Sequence, residues 1–437
     1  MKSVVAVFAV AFTRLAWSAD SPEFHKDIEP VLQAHCQICH RPGEIGPMPL
    51  LSYNDARPWA KAMKNAVLTK QMPPWQAQAG VQHYRNDRSL TQEQINMIAA
   101  WADAGAPEGN PKDAPAPRRF EQGWNIGKPD LVIEMPEAYK IPAKGTVEYT
   151  YIILPSNFKE DRWVQAFEVR PGNRSVMHHA VLYARMPGSK WLSEYPKGVP
   201  FVPEPRPGTK KRSSDGDRSA EGSLADEWLV GYVPGIQPYV SPEGSAYLVK
   251  AGADFVLQGH YTTNGSAAED QTRIGFVFAK EAPKKRNFMM QVVNTDFVIP
   301  PGAADFKDSG SITLASDVQV LSASPHMHVR GKAMDLRAEY PTGEKEYLLK
   351  VPRYDFNWQL IYELDKPKLL PRGTKLFADA TFDNSANNRA NPDPTSEVHW
   401  GDQSWEEMLL GLVTVQIEPD ADLDKLYEKP PRRTPVR

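Results

Sequence analysis

Residues 176–184 read Val176-Met177-His178-His179-Ala180-Val181-Leu182-Tyr183-Ala184. This apolar, partly β-branched run has no glycine or proline inside it and reads as a strand. Working outward, segments of similar character recur at 147–154, 163–169, 253–262, 273–279, 311–323, 333–340, 346–351, 375–382 and 408–417, with Pro/Gly turns between them. The chain holds 40 prolines in 437 residues, roughly twice the usual share of about 5%. That argues against a helical bundle and for turns, loops and edge strands. Many short strands predict all-β sandwiches. The stretch from 121 to 425 is long for one sandwich, so two are expected, over 121–283 and 284–425, with a tail over 426–437. Residues 186–226, rich in Pro, Lys, Ser and Asp, read as a long loop.

The chain before residue 121 has a different character. Lys2, the apolar stretch Val4 to Phe12 and the small-x-small Ala16-Trp17-Ser18 predict a secretory signal over 1–19 and an exported, soluble product. Residues 20–106 read as a small all-α domain. Phe24, Ile28, Val31 and Leu32 form one helical stripe, and Ile95, Ile98, Ala99 and Ala102 form another. Thr91 with Gln94 predicts a capping box, Leu90 with Ile95 its hydrophobic staple, and Gly105 then Pro107 a stop. Pro107, Pro111, Pro115 and Pro117 suggest a stiff linker over 107–120. No stretch approaches the roughly 20 apolar residues of a membrane span. Lys plus Arg number 51 against 54 Asp plus Glu, a net charge of −3. No strongly basic field is available, so no nucleic-acid partner is expected.

Cys36-Gln37-Ile38-Cys39-His40 is C-x-x-C-H, the attachment signature of haem c. Each thiol can add to a haem vinyl group while His40 ligates iron. A thioredoxin-like C-x-x-C expects a βαβ setting; here a helical stripe precedes the motif. The two cysteines are the only ones in the chain, so no disulfide scaffold is expected. Met72, followed by Pro73 and Pro74, is the candidate for the second axial ligand; Met48, Met63, Met97 and His83 are its rivals. This region resembles the small class I cytochromes c, and that resemblance implies one covalent haem held by Cys36, Cys39, His40 and Met72. A bacterial-type haem motif behind an export signal points to the periplasm.

Of the ten histidines, His25, His35, His40 and His83 lie in or near this region, and five of the other six fall in three short motifs. His178 and His179 are consecutive, and neighbours on a regular strand point to opposite faces. Both can serve one metal only where the strand twists, bulges or ends. His260 shares a face with Gln258 in Leu257-Gln258-Gly259-His260-Tyr261. His326 and His328, in Pro325-His326-Met327-His328, sit at i, i+2 and face one way. Met408 opens an apolar strand, and its thioether is a soft ligand that suits Cu(I) better than Zn(II). The alternative is a set of polar residues satisfied in a β core, or one structural zinc. His399 reads as a surface group.

Together these motifs resemble the type II copper, ascorbate-dependent monooxygenases, the family of the peptidylglycine α-hydroxylating and dopamine β-monooxygenases. The order matches over about 300 residues: His-His, then L-Q-x-H-Y, then H-x-H, then E-M before an apolar strand. The resemblance implies two jelly-roll-like domains, each holding one copper across a solvent-filled cleft. Carried over by motif, His178, His179 and His260 hold the first copper, which relays electrons. His326, His328 and Met408 hold the second, which binds and activates O2 and makes these three the catalytic set. Electrons would reach the first copper from the haem, itself loaded by an external donor. The chain departs from the peptide-amidating members. Ser324 stands where they carry an Arg that grips the substrate carboxylate, and Leu412 where they carry a Tyr. The substrate, a small molecule or a peptide, is therefore open. A haem/copper electron-transfer or copper-handling protein without hydroxylase activity is the second reading. A cytochrome c joined to a metal-free β-sandwich binding module is the third.

Overall fold

The computed structural model describes residues 21–120, 123–203, 227–233 and 238–428. The expected signal over 1–19, residues 204–226 of the expected loop and residues 429–437 of the tail lie outside the described residues. The chain is mostly β-sheet with few helices, 37% strand against 12% helix. Among the described residues, no helix is long and apolar enough to cross a membrane. Two compact units emerge, one ending in Arg118 and one built mainly from residues 119 onward.

The first unit comprises the described residues up to Arg41 together with 48–73 and 90–118. A π-turn, Phe24–Ile28, runs into the α-helix Glu29–His35, and the predicted stripe of Phe24, Ile28, Val31 and Leu32 is buried in the core. The helix Gln92–Asp103 begins on the expected capping box: Thr91 Oγ1 accepts from Gln94 N at 3.2 Å, and Gln94 Oε1 accepts from Thr91 N at 2.9 Å. A third helical stretch, Tyr53–Ala56 continuing through Arg57–Trp59 into Ala60–Leu68, has no counterpart in the sequence reading. Its core contribution is small residues, Ala56 and Ala60, with Met63 and Val67, a faint stripe to read by hydropathy. Residues 107–118 of the expected stiff linker are bonded to the helices. Phe24 N donates to Pro107 O at 3.0 Å, the buried Trp101 indole donates to the same carbonyl at 3.0 Å, and Gln33 Nε2 donates to Ala116 O at 3.3 Å. Pro107 alone gives its carbonyl to both Phe24 and Trp101 and ties this strap to the helices.

The second unit contains 42–47, 74–89 and the chain from 119. Its first half stacks two sheets. One runs in the order Thr150–Pro155, Asp254–Tyr261, Met177–Arg185, Glu227–Tyr232, antiparallel throughout. The other begins Leu131–Glu134, Arg273–Phe278, Arg162–Arg170, Ser245–Val249. Leu182, Phe167, Phe255 and Phe276 fill the space between them. The second sheet does not stop there. Ser245 and Ala246 pair in parallel with Lys285 and Arg286 of the strand Lys285–Asn294. From that strand the sheet continues through Leu409–Ile417 and Val318–His326 to Tyr362–Leu370. The two expected sandwiches thus share one continuous sheet. A five-stranded sheet, Lys345–Val351, Gly331–Glu339, Lys375–Phe382, Phe306–Leu314, Tyr427–Glu428, covers the second half over a core that includes Met334, Leu336, Ala378 and Val413.

The expected strand 311–323 is two strands, Phe306–Leu314 and Val318–His326, separated by Ala315, Ser316 and Asp317. Lys285–Asn294 and Tyr362–Leu370 were not anticipated. The latter carries Pro367, which is tolerated because this strand is the sheet's edge. Residues 74–89 cover that edge: Arg85 N donates to Glu363 O and Asp365 N to His83 O, both at 2.9 Å. The rings of Trp75, Tyr84 and Tyr362 pack together at 4.8–5.9 Å. These residues thus blunt the edge as part of the β unit, whereas the sequence reading placed them in the helical domain.

A third core lies on the outer face of the four-stranded sheet. Tyr149, Tyr151, Tyr183 and Trp228 meet Met289, Leu410 and Leu412 of the long sheet there. The histidines gather at its border.

Candidate metal centre

The strand Met177–Arg185 pairs with Asp254–Tyr261, and its register slips at the histidines. Met177 faces Tyr261, then His179 faces His260, so His178 is one residue too many. This is a β-bulge. It removes the alternation that would send His178 and His179 to opposite faces. The imidazole centroids of His178, His179 and His260 lie 5.0–5.2 Å apart, and their ligand-capable nitrogens all lie within 4.8 Å of one another. His178 Nδ1 is 2.9 Å from His179 Nδ1, while His178 Nε2 lies 3.3 Å from Asn357 Oδ1. The amide oxygen can only accept, so His178 carries its proton on Nε2 and bares Nδ1. His260 Nδ1 is buried with no hydrogen-bond partner, a ring nitrogen whose place is explained by a ligand bond.

The strand Val318–His326 ends on His326, opposite Leu410. The His326 and His328 rings are 5.4 Å apart, while Met327 between them is buried in the core on the other side. Each ring has its Nδ1 tied. His326 Nδ1 lies 2.7 Å from Gln359 Oε1, and His328 Nδ1 lies 3.1 Å from the Glu406 carbonyl oxygen. Both acceptors require Nδ1–H, which leaves Nε2 unprotonated on each ring, the arrangement of a metal-ready imidazole. The buried Glu407 carboxylate clamps the turn beneath them, accepting from His328 N at 2.8 Å and Arg330 N at 2.6 Å. Met408 is half-buried, directly ahead of the strand Leu409–Ile417.

Burial holds these imidazoles neutral. His260 is pushed down to about 3 and His326 to about 4, both chiefly by desolvation. His178 is lowered, and His179 and His328 well lowered, for the same first cause, with neighbouring imidazoles adding to the last two. Neutral nitrogen is the form that binds a metal.

The two sets adjoin. The Tyr149 ring stacks on His260 at 4.6 Å and lies 5.3 Å from His179 and 6.2 Å from His328. The Phe356 ring lies 5.2–6.2 Å from His178, His179, His260 and His328. Two aromatic rings therefore lie against both sets. Sequence reasoning found the five histidines and missed Tyr149, Phe356, Asn357 and Gln359. Only the fold brings these four to the imidazoles. Glu407 was visible beside Met408, but its role was not.

In the helical unit, Cys36 caps the helix Glu29–His35, and Cys39 N and His40 N both donate to Cys36 O, at 3.1 and 3.0 Å. The motif is thus a tight turn at the helix end. Burial pushes the Cys36 thiol up to about 12, so it stays protonated. His40 Nδ1 lies 3.1 Å from Met48 O, leaving Nε2 bare. Met72, half-buried, lies in the same unit, its N–H donating to Ala66 O at 3.2 Å. Of its rivals, Met63 is buried in the helical core, Met48 and Met97 pack against that core, and His83 belongs to the β unit. His399, expected at the surface, is half-buried, with its Nε2 2.9 Å from Glu397.

No family model matches this chain, and no curated protein matches it. Among solved structures it is similar to capsid proteins of infectious bursal disease virus. The Gx strain structure is 8% identical over 69% of this chain and 77% of that one, with a TM-score of 0.19. The VP2 subviral particle is 10% identical over 69% and 77%, and the Gt strain 11% over 73% and 79%, each also at a TM-score of 0.19. Likeness at that level carries no argument about function.

Proposed function

We propose that this chain is an exported, periplasmic monooxygenase that hydroxylates a C–H bond with O2, using two coppers and one covalent haem c. In this reading the β unit forms two jelly-roll-like copper domains and the helical unit a class I cytochrome c. The observation that carries it is the bulge at His178, which lets three imidazoles from two strands offer nitrogens within 4.8 Å of each other. The donor chemistry fits copper. Three buried neutral imidazoles suit one ion, and two imidazoles with Met408 suit a second that cycles through Cu(I). C-x-x-C-H at a helix end, with His40 Nδ1 engaged by a carbonyl, fits haem attachment.

Bound copper would supply the one-electron and O2 chemistry, and haem the electrons. The chain's own residues do the rest. His178, His179 and His260 present unprotonated nitrogens without needing to lose a proton at pH 7. Gln359 and the Glu406 carbonyl hold His326 and His328 in the tautomer that bares Nε2. Glu407 fixes the backbone that carries His328. Tyr149 and Phe356 exclude water from the imidazole faces they cover.

The test is the copper-to-haem ratio of protein matured with haem in an exporting host and reconstituted with copper, followed by product formation under O2. Close to two coppers per haem, lost in a His178→Ala/His326→Ala double variant, is expected. Zero copper overturns the reading. Two coppers with no hydroxylated product from any substrate class leaves an electron-transfer or copper-handling protein.

A further inference from the structure

The His326 imidazole packs against an indole. Trp228 stands edge-on to it, ring centroids 6.2 Å apart and planes at 74°. The Trp228 ring lies 5.3 Å from Tyr183, and the Tyr183 ring 5.1 Å from Trp191. All three rings belong to the aromatic core on the outer face of the four-stranded sheet. Each separation is that of rings in direct contact, about 4.5–7 Å. The series thus runs without a gap from His326 to the turn that follows the strand Met177–Arg185.

That turn is held from inside and open outside. The buried Arg185 guanidinium donates to Trp191 O and Leu192 O at 3.0 and 3.2 Å, and to Asp254 Oδ2 at 2.6 Å. A buried cation spent on two backbone carbonyls fixes where Trp191 sits. Ser193 and Glu194 beside it are exposed. Burial, and after it the Asp402 carboxylate, raises the Tyr183 phenol. Tyr183 therefore keeps its proton and serves as the ring between two indoles. Negative charge close by also favours a positive charge that passes through it. Indoles give up an electron only to a strong oxidant. Ordinary electron traffic from a haem has no use for them, whereas an oxidant able to break a C–H bond can take their electrons.

We infer that Trp228, Tyr183 and Trp191 form a discharge route, which carries oxidising equivalents away from the centre on His326, His328 and Met408 when O2 is activated with no substrate in place. The route rests on the ring geometry, and the oxidant on the proposed function. Each passage moves one electron inward. The oxidised centre gains an electron from Trp228, and Trp228 regains one from Trp191 across Tyr183. Trp191 sheds its indole proton to water, and a soluble enediol reductant returns one electron and one proton to it. Two passages, with protons from water, spend a two-electron oxidant. Without them Met408 takes the oxidation as a sulfoxide.

Two experiments test it on the full-length, haem-matured chain. In the first the chain is copper-free and carries a ruthenium tris-bipyridine photo-oxidant on Glu194→Cys, its position checked by peptide mapping. It is illuminated with chloropentaamminecobalt(III) as electron acceptor. Peptide mass spectrometry is expected to find oxidised Trp228 as well as oxidised Trp191. Tyr183→Leu, and separately Trp191→Phe, which keeps a ring in place, should each lower oxidised Trp228 at least fivefold. Trp228 untouched in the parent, or unchanged in either variant, overturns the route. In the second the copper-loaded chain is reduced and exposed to O2 without substrate. Trp228→Phe is expected to raise Met408 sulfoxide at least fivefold over the parent, and equal sulfoxide overturns the protective role. A chain that takes up no copper sinks the proposed function alone, because the first experiment needs none.

Discussion

The Nδ1 atoms of His178 and His179 lie 2.9 Å apart although the two residues are consecutive on one strand. The bulge between the Met177–Tyr261 and His179–His260 pairs makes this possible, and the arrangement has measurable consequences. His178→Ala, at a half-buried position, should lower bound copper from close to two to close to one per chain. The thermal midpoint of the copper-free protein should move by no more than a few degrees. Elemental analysis of the variant reads the first, calorimetry the second. Copper unchanged at two would remove His178 from the centre.

Gln359 holds His326 through its ring nitrogen. Loss of such an outer partner typically costs 10–100-fold in metal affinity. Gln359→Ala should therefore weaken copper binding at the His326/His328 site by roughly that factor, while Gln359→Glu, which keeps the acceptor, restores most of it. Competition titration with a copper chelator separates the two variants.

Acid should destabilise the copper-free protein through its imidazoles. His260 and His326 titrate at about 3 and about 4 when folded, against about 6.5 in an unfolded chain. Between those values the unfolded chain binds protons that the folded chain refuses. Stability is therefore full above pH 6.5 and falls as pH drops toward 4 and then 3. Glu227 and Glu407, raised by burial to about 7 and about 8, act oppositely: their contribution fades as pH rises through those values. A His260→Gln/His326→Gln variant isolates the imidazole effect. Its thermal midpoint should fall less than that of the parent between pH 7 and pH 5.

Glu407 spends both carboxylate oxygens on backbone N–H groups. Glu407→Gln keeps one acceptor and strands the other donor, a cost of about 1–3 kcal/mol. A lower denaturation midpoint, together with weaker copper binding at the adjacent histidines, is the expected pair of results.

Met408→Ile should abolish Cu(I) retention at the His326/His328 site and leave the copper on His178, His179 and His260, as well as the haem absorption spectrum, unchanged. X-ray absorption at the copper edge would show loss of a sulfur neighbour. Two Cu(I) ions retained with unaltered spectra would exclude Met408 as a ligand.

Much of this molecule was legible in its residues because the responsible physics is local. The capping box at Thr91 is written in four consecutive positions, the C-x-x-C-H turn in five, and strand character in alternation over six to nine. His326 and His328 face one way because strand periodicity is two. Some things periodicity could not show. His178 and His179 converge only because the partner strand, some 80 residues away, imposes a register slip. Gln359, Tyr149 and Phe356 reach the imidazoles from separate segments, each unremarkable alone. The parallel pairing of Ser245 with Lys285 fuses two expected sandwiches into one sheet, and residues 74–89 leave the helical region to cover the edge at Tyr362–Leu370. In each case the outcome depends on which surfaces meet after long loops close. Sequence determined the element types, the cysteine and histidine chemistry and the charge balance. Tertiary structure alone decided that four imidazoles drawn from both sets share two aromatic neighbours, because pairing register and core packing are properties of the assembled sheets.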